Sequence, residues 1–314
     1  MEIQVLQTIK NSIRQVMIGN DETIDLLLTS LLANGHVLLE DVPGTGKTVL
    51  AKSLARSMDA EFGRIQFTPD LLPSDVVGLN RLDAKTGEFV FTKGPAFCNI
   101  LLADEINRAT PKTQSSLLEC MAEYQITVDG VTHPLAAPFF VIATQNSLES
   151  LGTFPLPEAQ MDRFLMQLSM ELLDQKKELS LVHRFMKEEP LESLSAVCKS
   201  DDIVALQAQC REIYIHPELL NYMVSIIQAT RSNAKIASGV SPRGTLAFVR
   251  AAQGYAMVSG HDYVTPEDIK KVALPVLGHR ISMNVSFDAA AAAKQAITDI
   301  LCSVTVPTED WTKR

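Results

Sequence analysis

The run Pro43-Gly44-Thr45-Gly46-Lys47-Thr48 sets two glycines, a lysine and a threonine in the order that a polyphosphate demands. Glycines at 44 and 46 let the backbone approach phosphate and turn without a side-chain clash. Where such a run opens a helix, the unpaired N–H groups and the partial positive charge of that helix end favour an anion. Lys47 then reaches the β- and γ-phosphates of ATP, and the Thr48 hydroxyl is a ligand for Mg2+. One position departs from the usual G-x-x-x-x-G-K-[ST] spacing. Asp41 stands where glycine is expected, beside a second acid, Glu40. Two carboxylates at the mouth of a polyphosphate site need an explanation.

Three further stretches carry chemistry of the same kind. NILLADEI (99–106) is an apolar run that ends in paired acids. At the carboxyl end of a parallel strand, Asp104 would face the phosphate loop and hold the water shell of Mg2+. Glu105 would accept a proton from an attacking water as general base. FFVIATQN (139–146) ends in an amide that both donates and accepts, so Asn146 suits the orienting of that water. Arg163, in PLPEAQMDRF, is read as a finger placed on a neighbouring subunit's γ-phosphate. Arg243, in SPRGTLAFVR, lies in a helix first turn, where the dipole disfavours a cation and an anionic partner is expected. It is read as a sensor on the same subunit's nucleotide.

These residues need elements to position them. Ile3, Leu6, Ile9, Ile13 and Val16 recur at helical spacing, and Asn20 is expected to cap a second helix that Gly35 closes. Short apolar runs at 36–39, 64–67, 99–103, 139–143 and 164–168 alternate with helical segments, as buried parallel strands do. The first helix after the phosphate loop is expected from Lys47 to about Met58. Arg81–Phe91 and Gln125–Leu135 break the alternation and read as hairpins, the second turning on Asp129-Gly130. After Leu173 the strand signals stop. Ser241-Pro242 and Thr265-Pro266-Glu267-Asp268 mark helix starts, and Gly260 and Gly278 fit the stops. The expected organisation is a three-layer α/β domain over residues 1–172 and an all-α domain over 173–314.

Composition narrows the function classes. A balance of 28 basic and 37 acidic residues gives −9 at pH 7, which argues against a general nucleic-acid coat. No apolar run approaches the length of a membrane span, and the start reads as an amphipathic helix rather than a signal peptide. Five cysteines without a C-x-x-C pair fit reduced thiols in the cytoplasm.

Taken in order, PGTGKT, LLADEINRA, ATQN, PLPEAQMDRF and SPRG resemble the MoxR group of AAA+ ATPases over about residues 5–290. The resemblance implies an αβα nucleotide domain followed by a helical lid, assembled as a homo-oligomeric ring of an expected six subunits with ATP at the interfaces. Lys47 and Thr48 then match Walker A, Asp104 and Glu105 Walker B, Asn146 sensor 1, Arg163 the arginine finger and Arg243 sensor 2. The implied nucleotide contacts run through Ile18, Gly19 and Pro43 to Val49, with Thr48 and Asp104 on Mg2+. The hairpins match the helix-2 insert and the pre-sensor-1 hairpin. Asn107 and Arg108 match the pattern without a role readable from their chemistry. The resemblance further implies chaperone-like activation of client proteins with a separate von Willebrand factor A domain partner. A chelatase-type subunit or a nucleic-acid motor is the alternative within enzymes, and a nucleotide-gated binding module the alternative outside them. Position 41 lies at the strand exit rather than in the phosphate cradle, and aspartate tolerates unusual backbone angles. Glu40 and Asp41 are therefore expected to point away from the polyphosphate, toward the lid or a neighbouring subunit.

Overall fold

The computed structural model describes residues 2–40, 44–146, 152–170, 172–186, 189–284, 288–308 and 311–312. The expectations for Asp41 and Pro43 lie outside the described residues. Helices α1 (Glu2–Val16) and α2 (Asp21–Leu32) come first. The 3–4 spacing of Leu6, Ile9, Ile13 and Val16 puts all four on one buried stripe. Asn20 does sit at the start of α2, but in the left-handed conformation (φ 59°) and with no side-chain cap bond. Asp21 and Glu22 in the first turn complement the helix dipole there.

Strands and helices then alternate: β1 (Val37–Glu40), α3 (Lys47–Ser57), β2 (Phe62–Gln66) and α4 (Pro73–Val77). The hairpin β3 (Gly78–Leu82) and β4 (Phe89–Lys93) follows. Next come β5 (Ile100–Asp104), α5 (Pro111–Glu123) and the hairpin β6 (Gln125–Val128) and β7 (Val131–Pro134). β8 (Phe140–Gln145), the short α6 (Glu158–Met161) and β9 (Met166–Leu168) complete this half. Five strands form one parallel sheet in the order β2-β5-β8-β1-β9. Alternate residues serve opposite faces, as the pleat requires. Val37, Leu39, Leu102 and Ile142 join the core under α1–α3, whereas Leu38, Leu101, Ala103 and Val141 join that under α4 and α5. The strand ends differ from expectation by one or two residues. Phe164, expected to open the last strand, instead fills the core just before it.

His36 anchors the centre of this arrangement. The Val141 N–H donates to its Nδ1 (3.1 Å), so its Nε2 carries the proton and donates to the Met121 carbonyl (3.0 Å). Burial pushes its pKa down to about 4, and the imidazole is neutral.

Both hairpins form, and they lean on one another. Asp129 and Gly130 take positive φ (49° and 81°), the two-residue turn that Asp-Gly favours. Asn80 Nδ2 donates to Asp129 Oδ2 (2.7 Å), and Phe91 stacks on His133 at 4.2 Å.

Among the described residues, the rest of the chain is helices and loops but for one short ribbon. It holds α7 (Gln175–Phe185), α8 (Ser200–Cys210), α9 (Pro217–Ser232), β10 (Ile236–Ser238), α10 (Pro242–Ser259), α11 (Pro266–Leu277), β11 (Ser282–Met283) and α12 (Ala289–Ser303). The antiparallel pair β10–β11 corrects the all-α expectation. Strands of three and two residues carry too little pattern to be read from sequence. Thr265 and Asp268 make the expected capping box, and Gly260 ends α10 at φ 88°. Gly278 does not stop α11 in the left-handed region; the chain tightens there into a 3-10 turn, Gly278–Arg280. α10 packs on α2, and its buried Phe248, Ala251 and Ala252 share one continuous core with α1–α3 and the sheet. The tail is partly docked, with Trp311 edge-on to His216 at 5.8 Å. Three cysteines are buried, Cys198 is half-buried and Cys302 is exposed.

Candidate functional site

The turn between β1 and α3 is built on two left-handed glycines, Gly44 (φ 90°) and Gly46 (φ 93°), the second at the N-cap of α3. A non-glycine residue at either would be strained. A cavity of about 330 Å³ opens above them, lined by Gly44, Thr45, Gly46, Lys47, Thr48, Asp104, Glu105, Thr144 and Asn146. The sheet order explains the convergence. β8 lies beside β1 and β5 beside β8, so their carboxyl ends emerge on the same edge as the helix N-terminus.

The acids are held in place by neighbours from adjacent strands. Asp104 Oδ1 accepts from the Thr144 hydroxyl (2.7 Å), and Oδ2 pairs with Arg64 (2.8 Å). Glu105 has left-handed backbone (φ 56°), rare for this residue type, and its N–H donates to Thr144 Oγ1 (2.8 Å). Its Oε2 accepts from Gln66 Nε2 (2.9 Å) and pairs with Arg108 Nε (2.9 Å). Arg108 thus gains a place in the site. Asn107 Nδ2 donates to the Asn146 carbonyl (3.4 Å), joining the two loops that carry Glu105 and Asn146. Thr144, Gln66 and Arg64 are partners that the sequence does not announce: polar side chains at the ends of apolar runs are their only signal.

A second cavity, of about 430 Å³, shares Gly44–Gly46 with the first and is mostly apolar. Its walls include Met17, Ile18, Val49, Leu173 and Phe185. Gly19 supports this wall from behind (φ 75°), since a Cβ there would lie 2.9 Å from the Leu173 side chain. An apolar slot beside an anion cradle suits a purine attached to a polyphosphate. The cradle also fits a hard cation, because Thr48 and Asp104 offer it hydroxyl and carboxylate oxygens from opposite walls.

Glu40 lines neither cavity. It accepts a hydrogen bond from the Gln167 side chain and faces a cavity of about 550 Å³ shared with Ser282, Met283 and Ala293 of the lid. The direction expected of this acid, toward the lid, is the one it takes.

The two arginines are brought together, but away from the phosphate loop. Arg163 and Arg243 line a cavity of about 340 Å³ with Tyr124, Asp162, Arg250 and Arg280. This cavity shares no lining residue with the two beside the phosphate loop. The structure thus does not bring Arg243 to the phosphate loop of its own subunit, where a sensor on that subunit's nucleotide was expected. Packing of α10 on α2 carries that helix N-terminus to the Arg163 side. Arg280, 3% exposed, fastens the two sides together. Its Nε donates to Asp162 Oδ1 (2.7 Å), and its other nitrogens reach the carbonyls of Phe164 and Leu165. Asp162 Oδ2 accepts from Ser241 (3.4 Å), the N-cap of the helix that bears Arg243. Burial, against the pull of Asp162, brings the Arg280 pKa down to about 10, so the guanidinium stays charged at neutral pH.

Comparison with known proteins agrees with this architecture. The profile of the ATPase family associated with various cellular activities (AAA) matches residues 36–166, and that of the AAA lid domain matches residues 228–300. A Bacillus subtilis protein, YeaC, is 47% identical over 95% of this chain and 93% of its own length. Chaperone MoxR1 of Mycobacterium tuberculosis is 37% identical over 98% of this chain and 83% of its own, and MoxR of Paracoccus denitrificans is 32% identical over 87% of each. The crystal structure of a Cytophaga hutchinsonii protein, 38% identical, superposes with a TM-score of 0.89 over 98% of this chain and 96% of that one. The fold and site are those of an AAA+ ATPase with a helical lid. Within that class, the chain belongs to the MoxR family.

Proposed function

We propose that this protein hydrolyses ATP at the interfaces of a homo-oligomeric ring, expected to have six subunits, and uses the cycle to remodel or activate partner proteins. One observation supports the shared site above others. Among the described residues lining the phosphate-loop cavity, Lys47 is the only cation, while Arg163 and Arg243 face elsewhere. Charge that develops on the γ-phosphoryl group during transfer needs more than one cation. In this reading a neighbouring copy supplies them, Arg163 as finger and Arg243 beside it.

Within the subunit, Ile18, Val49 and the apolar slot hold the base, with Gly19 fixing the slot's wall. The backbone from Gly44 to Thr48 holds the phosphates, and Lys47 binds the terminal pair. Thr48 and Asp104 would hold Mg2+, which supplies charge neutralisation along the polyphosphate. Asn146 orients a water, and Glu105 takes its proton. Gln66 and Arg108 both hold Oε2 of Glu105, so the proton goes to Oε1 unless the carboxylate is released from them. A client protein and a separate von Willebrand factor A domain partner, in the cytoplasm, complete the proposal. The name of the M. tuberculosis relative, a chaperone, supports the client-directed part. Among the described residues no helix is long and apolar enough to cross a membrane.

Pull-down with Glu105→Gln in ATP tests the whole reading. That variant should bind ATP, hydrolyse it about a hundredfold more slowly and retain client protein. Wild-type turnover by the variant would remove Glu105 from the mechanism.

A further inference from the structure

We propose that Arg250 is a third anion-binding arm of the arginine-lined cavity and that it holds the polyphosphate of a neighbouring copy's nucleotide. This rests on the interfacial reading given above.

Arg243 and Arg250 both lie on α10, seven residues apart. That spacing returns to nearly the same helix face two turns on, about 10 Å along the axis. Both side chains line the cavity of about 340 Å³ that Arg163 enters from the end of the sheet domain. Arg280, the fourth arginine there, is already committed to Asp162 and to backbone carbonyls. The other three differ. Among the described residues, the side chains of Arg163, Arg243 and Arg250 make no hydrogen bond or ion pair. The one acid in the lining is Asp162, whose carboxylate is taken by Arg280 and Ser241. Three uncompensated guanidinium groups thus face one cavity in a chain whose net charge is −9.

Like charges gathered this way repel one another unless an anion fills the space between them. A single carboxylate would answer one of the three. A polyphosphate spreads several charges along a chain, and its oxygens pair with guanidinium forks two at a time. The separation of Arg243 and Arg250 along the helix fits such an extended anion better than a point charge. Leu246, exposed and on the same helix between them, lines the same cavity and leaves its approach open.

The test uses the full chain and steady-state ATPase assays with Arg250→Ala, Arg250→Lys, Arg163→Ala and Lys47→Ala. Arg250→Ala should lower kcat/KM for ATP about tenfold, and Arg250→Lys should lose less, because lysine keeps the charge without the fork. Mixing then separates an interfacial role from a structural one. Lys47→Ala subunits lack a working phosphate loop but keep the arginine face, so adding them to Arg250→Ala subunits should restore turnover. Wild-type activity in Arg250→Ala, or no recovery on mixing while Arg163→Ala does recover, overturns the role of Arg250 and leaves the interfacial site standing. Wild-type activity in Arg163→Ala, or no recovery of either variant on mixing, overturns the interfacial reading and this proposal with it.

Discussion

Glu105 holds a backbone conformation that glutamate reaches only at a cost of about 1 kcal/mol or more. Its carboxylate is tied at the same time to Gln66 and Arg108. A strained residue held back by two neighbours is arranged to be released. Gln66→Ala removes one restraint and is expected to raise basal ATP turnover a few-fold with nucleotide affinity unchanged; a fall in kcat would mean that Gln66 orients Glu105 rather than restraining it. Lys47→Ala, by contrast, should abolish binding of a fluorescent ATP analogue, and unchanged affinity would sink the phosphate-loop assignment. These residues also mark how far the sequence could be read. Lys47 and Thr48 are legible because their geometry is local, fixed by a handful of consecutive residues. Asp104 and Asn146 are legible because each ends an apolar strand. The partners of Asp104 and Glu105 are not, since Arg64, Gln66 and Thr144 lie about forty residues away in the chain and meet them only through the order β2-β5-β8.

At the level of elements, two buried polar groups carry measurable stability. His36 joins α5 to β8 in its neutral form, with a pKa depressed from about 6.5 to about 4. The unfolded chain therefore binds a proton that the folded chain refuses between those values. Stability is complete above pH 6.5, falls as pH drops toward 4 and changes no further below that, for a loss on the order of 3 kcal/mol. His36→Gln has no such proton to bind. The gap in unfolding free energy between wild type and this variant, read from urea melts, should shrink from pH 7 to pH 4.5. A gap independent of pH would show that His36 does not titrate across that range. At α11, Thr265 caps a helix whose Asp268 is 3% exposed and accepts from the Thr265 backbone and hydroxyl. Thr265→Ala is expected to cost about 1–2 kcal/mol in the same assay.

For the whole molecule, the placement of Arg243 was the part that sequence could not supply. Its first-turn position was readable, but the side it faces depends on α10 packing against α2, some two hundred residues earlier in the chain. The pairing of Asp162 with Arg280 then ties the sheet end to the lid. Arg280→Ala would leave the partly buried Asp162 carboxylate without its cation and the Phe164 and Leu165 carbonyls without their donor, an expected loss of about 2–3 kcal/mol that a thermal melt would register. The continuous core gives the molecule one tightly packed body, and α7 stands apart from it. None of its residues is buried, yet it supplies Leu181, Val182 and Phe185 to the apolar slot, and Arg184 ties it to the carbonyls of Arg14 and Gln15. An element held so lightly opens often. Its amide hydrogens should exchange with deuterated solvent orders of magnitude faster than those of α2, and slow down when nucleotide fills the slot. The protein would then report its nucleotide state in the breathing of a single helix, without any displacement of its packed body.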